Sequence, residues 1–388
     1  MRVARPLPAR GAALKKWVNG VDLSDKNAFA CDSCVEMELR LPRALGATGA
    51  ALLLVFDDGG ERELPFCFFA CMGAWDSYRL TLPLFDITPE TGGFFQYYVL
   101  LYRGAERLFS KTEDNISLDF SKERERAFSL LAYRRELTVP RRFQGRVMYQ
   151  ILVDRFARGS VPCPVQGVFR TDFAGEIGQY AAAPGEPVAN NEFFGGTLWG
   201  VLEHLDRLQA LGVGILYLCP ILEARSNHKY DTGDYERVAA EFGGERALRA
   251  LAAGCRKRDM LLLLDGVFNH TGDDSRYFDK YGNYGGHGAF SDPSSPYRDW
   301  YFWREEPPGY ECWWGIPILP KLNLHNPEVE EYLLGEDGIV AQYTEMGIDG
   351  WRLDVADELP DRFLERLRTL VKEKTGGNGV ILGEVWEN

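Results

Sequence analysis

The sequence lacks any long apolar run. Stretches such as Ala50–Phe56 and Leu261–Leu264 fall far short of the about 18 residues a membrane-spanning helix needs. It also lacks a basic excess: 44 Lys+Arg stand against 57 Asp+Glu, a formal charge of −13. Nucleic acids and anionic membranes both require a basic footprint, so that balance argues against either as a partner. No internal repeat or low-complexity segment is present. The opening MRVARPLPARGAALKKWVNG is basic without an apolar stretch, so it does not read as a secretory leader. That reading, together with scattered cysteines, points to a cytoplasmic protein. The first strand after the linker is not followed by G-x-G-x-x-G, which removes the main support for dinucleotide binding.

What is present is a globular composition, 45% hydrophobic and 26% charged, in 388 residues. At about 150 residues per domain that length suggests two to three domains. Up to about Pro140, the short alternating runs Val35–Leu41 and Tyr78–Leu84, the apolar run Ala50–Phe56 and the segment Phe94–Tyr102 are separated by Gly/Asp turns. That rhythm predicts an antiparallel β-sandwich. The charged stretch Ser121–Arg142 reads as the linker. Trp17 and Trp75 are read as core aromatics of this part, with starch binding on its surface as the rarer alternative.

Eight cysteines are present. Cys31/Cys34 and Cys67/Cys71 have the C-x2-C and C-x3-C spacing of a four-thiolate zinc site. A chain this long builds a core without staples, so the reading taken is reduced thiols and no metal.

From Arg146 the pattern changes to apolar strands alternating with helices. Arg146–Val153, Gly214–Leu218, Met260–Leu264, Gly350–Leu353 and Val380–Leu382 read as strands. Leu198–Leu211, Glu245–Arg258, Pro327–Met346 and Asp361–Lys374 read as helices. This is a parallel α/β sheet covered on both faces. A doubly wound sheet and a (β/α)8 barrel both fit the alternation. Asp265, Asp354 and Glu384 fall at or just past three strand C-termini. A barrel gathers such ends in one bowl, whereas an open sheet scatters them, so the acids favour the barrel. The expected fold is therefore a (β/α)8 TIM barrel truncated after about five strands, residues 141–388, preceded by a β-sandwich, residues 1–140.

Retaining glycoside hydrolysis uses two carboxyl groups about 5–5.5 Å apart, one attacking the anomeric carbon and one protonating the leaving oxygen. Asp354 and Glu384 come from strands read as adjacent. Arg352 lies two residues before Asp354 on one strand, so both side chains face the same way. A guanidinium there keeps the carboxylate ionised. Each of these also has a structural reading: Asp265 as a loop cap, Arg352–Asp354 as an ion pair. Between Trp300 and Trp314 an aromatic loop offers rings for sugar stacking or for its own packing.

Asp265-Gly-Val-Phe-Asn269-His270 resembles the first conserved region of the α-amylase superfamily. Gly350-Trp-Arg352-Leu-Asp354-Val-Ala-Asp-Glu358 resembles the second, in the neopullulanase and cyclomaltodextrinase form. Gly383-Glu384-Val-Trp386 resembles the third, and Leu319-Pro-Lys-Leu-Asn323 an extra motif of that branch. Asn227-His228-Lys229-Tyr230-Asp231-Thr-Gly-Asp-Tyr235 is similar to the segment after the second barrel strand. The resemblance implies a retaining α-glucan hydrolase acting on α-1,4 links of maltodextrins, with α-1,6 links as a second candidate. Asp354 would be the nucleophile and Glu384 the general acid/base. Arg352, His270, Tyr230, His228, Asp265 and Glu358 would bind substrate, and Asn269 would support the loop. A glucan transglycosylase and a non-catalytic glucan-binding protein on the same barrel remain open. The family's third carboxylate, in a His-Asp pair near the seventh strand, has no counterpart here, so the 388-residue piece alone is expected to be inactive. No cofactor is required by this reading. Some relatives hold calcium after the first strand, and the Asp154–Pro162 loop lacks their usual Gly-Asp. The implied partner is an α-glucan or maltooligosaccharide, and the branch also implies a homodimer.

Overall fold

The computed structural model describes residues 11–56, 59–87, 92–111, 116–134, 139–176, 178, 181, 183 and 188–386. The N-terminal segment 1–10 read for a leader, Asp57-Asp58 of one turn and part of the linker, 135–138, lie outside them. The chain divides into two compact units, Met1–Thr138 and Val139–Asn388.

Among the described residues of the first unit, twelve strands are joined through Ser117–Ser121, which pairs with both Ala12–Val18 and Glu106–Lys111. Alternation decides the faces. Val35, Met37, Leu39 and Leu41 on Cys34–Pro42 share one core with Leu52, Leu54, Tyr97, Val99 and Leu101 from the other half. Pairing is antiparallel except where Phe128–Tyr133 meets Ala28–Ala30 in parallel.

In the second unit, β1 (Val147–Ile151), β2 (Val213–Leu218), β3 (Leu261–Gly266), β4 (Gly350–Leu353) and β5 (Val380–Gly383) form one parallel sheet in chain order. Its outer face carries Leu216, Leu218, Leu262, Leu264, Trp351 and Leu353 against the helices. Ile215, Tyr217, Leu261, Leu263 and Val380 cluster on the inner face. The helix Gly244–Lys257 buries Ala247, Leu248, Leu251, Ala252 and Cys255, a stripe at helical spacing. The helix Asp361–Lys374 does the same with Phe363, Leu367, Leu370 and Val371.

Two helices expected as continuous are broken. Leu198–Leu211 is two helices, Leu198–Glu203 and Leu205–Ala210, separated at His204, whose ring nitrogen turns back to the Gly200 carbonyl, 2.8 Å away. Pro327–Met346 splits into Pro327–Leu334 and Ile339–Glu345. Gly335 caps the first and leaves helical geometry at ψ 170°. A Cβ at Gly335 would lie 2.5 Å from the Glu331 carbonyl oxygen, so the break requires glycine.

Candidate active site

The inner row of each strand has period two, and that alone aims the polar residues. On β3 the row runs Leu261, Leu263, Asp265. On β4 it runs Gly350, Arg352 and then Asp354, and on β5 Val380, Leu382 and then Glu384. Register does the rest: Asp265 pairs with Arg352, and Arg352 with Leu382. Gly350 keeps the row open, since a Cβ there would collide with the Val380 carbonyl.

Arg352 sits among three carboxylates. Its Nη1 donates to Asp265 Oδ1 at 2.8 Å and to Asp354 Oδ1 at 3.0 Å. Its Nη2 is 2.7 Å from Glu384 Oε2. Asp354 and Glu384 thus lie within the span of one guanidinium, a separation compatible with the about 5–5.5 Å of retaining glycosidases. The Asp354 side chain is 10% exposed and that of Glu384 28%, so the outer acid is the more open.

Asp265 is fully buried and also accepts from the Tyr217 hydroxyl and, at 3.0 Å, from the Tyr230 hydroxyl. Burial raises its carboxyl above the ordinary range, against the pull of Arg352. Burial, with the neighbouring Asp265, also raises Asp354, and Arg352 opposes the rise. Without a ligand, three acids compete for one cation. Glu384 is further held by the backbone N–H of Val355, 3.2 Å from Oε2. Val355 reaches it only in the left-handed region, φ 42°, which is strained for a β-branched residue.

His270 is buried beside this cluster, and burial pushes its imidazole down to about 4, so it is neutral. Trp313 stacks on it at 5.6 Å and Trp314 stacks on Trp313 at 5.1 Å. Tyr230 donates its backbone N–H to His228 Nδ1 at 3.1 Å, and burial lowers the His228 imidazole. Asn269 is buried, its Oδ1 without a hydrogen-bond partner.

The structure therefore gathers Asp265, Arg352, Asp354, Glu384 and Tyr230 directly, with His270 and His228 beside them. Glu358 joins a different group: its carboxylate accepts from the indoles of Trp313 (3.0 Å) and Trp314 (2.9 Å) and from Lys321 (3.3 Å). The aromatic loop divides accordingly. Trp300 and Tyr301 are core residues, and Trp303 lies beneath the Arg298 guanidinium. Trp314, 69% exposed, and Trp313 form a wall leading to His270. Trp17 and Trp75 are half-buried. Tyr217 and Val355 were missed from the sequence. Tyr217 had a usable signal, its inner-row place on β2. The backbone angle of Val355 had none.

No zinc site forms from the four cysteines. Cys34 pairs with Pro83, whereas Cys67 pairs with Arg79 and Cys71 with Asp76 on the same strand. At about 3.3 Å per residue, register holds these thiols apart. All eight cysteines are free. The loop after β1 does not suit calcium either. Asp154 already accepts from the amides of Phe194 (2.9 Å) and Gly195 (3.0 Å) and from Arg155 (2.8 Å). The Arg158 guanidinium occupies the carbonyls of Phe194, Thr171 and Arg170. A hard cation needs several free oxygens, and here guanidinium groups hold them. Among the described residues no cluster of His, Cys, Asp and Glu is arranged to bind a metal ion. Nor, among them, is any helix long and apolar enough to cross a membrane.

The model of the alpha-amylase catalytic domain matches residues 150–378. A cyclomaltodextrinase from a Bacillus species is 39% identical over 249 residues, covering 62% of this chain and 40% of its own length. Neopullulanase 2 of Thermoactinomyces vulgaris is 34% identical over 285 residues, covering 69% of this chain and 44% of its own. A solved cyclomaltodextrinase structure superposes with a TM-score of 0.55 at 31% identity, covering 92% of this chain and 58% of that one. The chain spans about two fifths of the length of these two curated relatives.

Proposed function

The chain belongs to the alpha-amylase family, and from that premise we propose that it supplies the nucleophile and acid/base of an enzyme hydrolysing α-glucosidic bonds in starch-derived glucans. One observation carries the reading: Arg352 bridges Asp354 and Glu384 at the ends of adjacent strands. Asp354 attacks the anomeric carbon while Glu384 protonates the departing glycosidic oxygen. Glu384, now a carboxylate, then takes a proton from the water that releases the sugar, and configuration is retained. Arg352 holds Asp354 for attack. Tyr230 stacks on the ring being cleaved, His270 and His228 bind its hydroxyls, Asp265 anchors Arg352, and Asn269 supports the loop. Bonds of α-1,4 and α-1,6 type are both candidates.

The finer architecture is part of the proposal. Five parallel strands in chain order are the start of a ring of eight, closed by further βα units that bring the third carboxylate. Residues 1–140 serve as a β-sandwich for carbohydrate binding or dimerisation. In support, Trp17 flanks Glu36 and Thr81 on one open face, and Phe68 and Phe69 are exposed on another strand. The free thiols support a cytoplasmic setting. The loop network through Arg155 and Arg158 supports independence from calcium.

A second reading, glucan transfer, draws on the Trp313–Trp314 wall, which gives an acceptor sugar a surface to stack on. Longer oligomers from concentrated maltotriose would favour transfer over hydrolysis.

The test is Asp354→Asn in the full-length protein. It should lower maltotriose turnover by about a thousandfold or more with an unchanged circular dichroism spectrum. Wild-type turnover in the variant would discard the assignment.

A further inference from the structure

We propose that Lys229 is the positioning residue for Tyr230 and His228, its ammonium acting as a built-in cation around which three loops close. Lys229 has no solvent exposure, and its backbone is left-handed at φ 62°. A buried ammonium is tolerated only when its donors are met. Here Nζ donates to the carbonyls of Ala224 (2.9 Å) and Ser226 (3.4 Å) and to Gln166 Oε1 (3.4 Å), and it ion-pairs with Glu241. The rings of Phe193 and Phe242 lie 5.4 and 5.2 Å away, close enough for cation–π attraction.

These partners come from separate stretches of chain. Gln166 lies in the excursion after β1 and Phe193 at its return. Ala224 and Ser226 follow β2, and Glu241 lies in the short turn before the helix Gly244–Lys257. One point charge therefore fixes all three to one another, as a bound metal ion would. The segment around it is closed locally as well: the Lys229 N–H donates to Ser226 Oγ (2.9 Å), and Ser226 donates to Asp231. With the Lys229 side chain drawn into this cage, its neighbours Tyr230 and His228 are left to the sugar side. There the Tyr230 hydroxyl meets Asp265 and its N–H meets His228.

This assignment rests on the glucan-hydrolase reading, and its test separates the two. The full-length protein is compared with Lys229→Met/Glu241→Gln, which removes both charges so that neither is left buried alone. Hydrogen exchange should show amides of residues 224–232 exchanging about tenfold faster or more while β2–β4 keep their protection. Unchanged protection there would overturn the proposal even if no glucan were turned over. Turnover adds a second arm. The double variant should lose about tenfold in kcat on maltotriose, and on a Tyr230→Ala background the same pair of changes should cost nothing more. Losses that simply multiply would mean that Lys229 acts on stability alone and would overturn the positioning role. An inactive wild-type protein would refute the hydrolase reading and leave the exchange result to decide Lys229.

Discussion

His270 shows how one buried side chain ties the chemistry of the site to the stability of the fold. Its imidazole is pushed down to about 4 by burial, with Lys321 and His228 adding to the effect. An unfolded histidine protonates near 6.5, so between about 4 and 6.5 the unfolded chain binds more protons than the native one. Stability is then fully present above that window and is lost as pH falls through it. In urea titrations at several pH values, His270→Gln should flatten this dependence, removing a swing of up to about 3 kcal/mol. An unaltered slope would mean that the imidazole accepts its proton in the folded state. The place of His270 beside the acids was legible because it follows a strand end. Its neutrality was not, because that depends on Trp313 and Lys321, about 40 and 50 residues later in the chain.

At the scale of the element, the two ends of the parallel sheet do different work. The C-terminal ends carry Asp265, Arg352, Asp354 and Glu384. The opposite ends carry Asp349, which accepts from the Leu262 amide at 3.0 Å and from Arg142 at 3.5 Å. Asp349→Ala leaves the Leu262 N–H unpaired at the buried start of β3 and should cost about 1–3 kcal/mol. Because this is the face away from the acids, KM on maltotriose should not move. Chemical denaturation and steady-state kinetics on one preparation check both halves. Strand and helix positions were legible because apolar runs and their ends are local: the strand Gly350–Leu353 and the helix Asp361–Lys374 fall where periodicity put them. The helix breaks at His204 and Gly335 were less so, since the apolar stripe continues on both sides of each.

For the molecule as a whole, the decisive feature among the described residues is a parallel sheet of five strands with β1 and β5 at its two ends. On the proposed reading a ring of eight strands needs three more, and the third acid comes with one of them. The 388-residue polypeptide assayed alone on maltotriose should therefore work at no more than about 1% of the rate of the full-length protein, because a site missing one of its positioned groups loses most of its oriented contacts. Robust turnover by the shorter chain would require that acid to come from within residues 1–388. The parallel order of the strands and the place of the acids at their ends were readable together, because strand direction sends every C-terminus to the same side.

The sequence by itself determined the strands of the parallel sheet, the apolar stripes of its helices and which residues stand at the strand ends, because hydrophobic period and strand direction depend only on near neighbours. Tertiary structure decided how those residues share charge. It put three carboxylates on Arg352, turned Glu358 toward two indoles, held the cysteines of the first unit apart by register and closed three loops on Lys229. Each outcome depends on pairing between segments far apart in the chain, and a side chain's protonation and partners follow from what that pairing buries beside it.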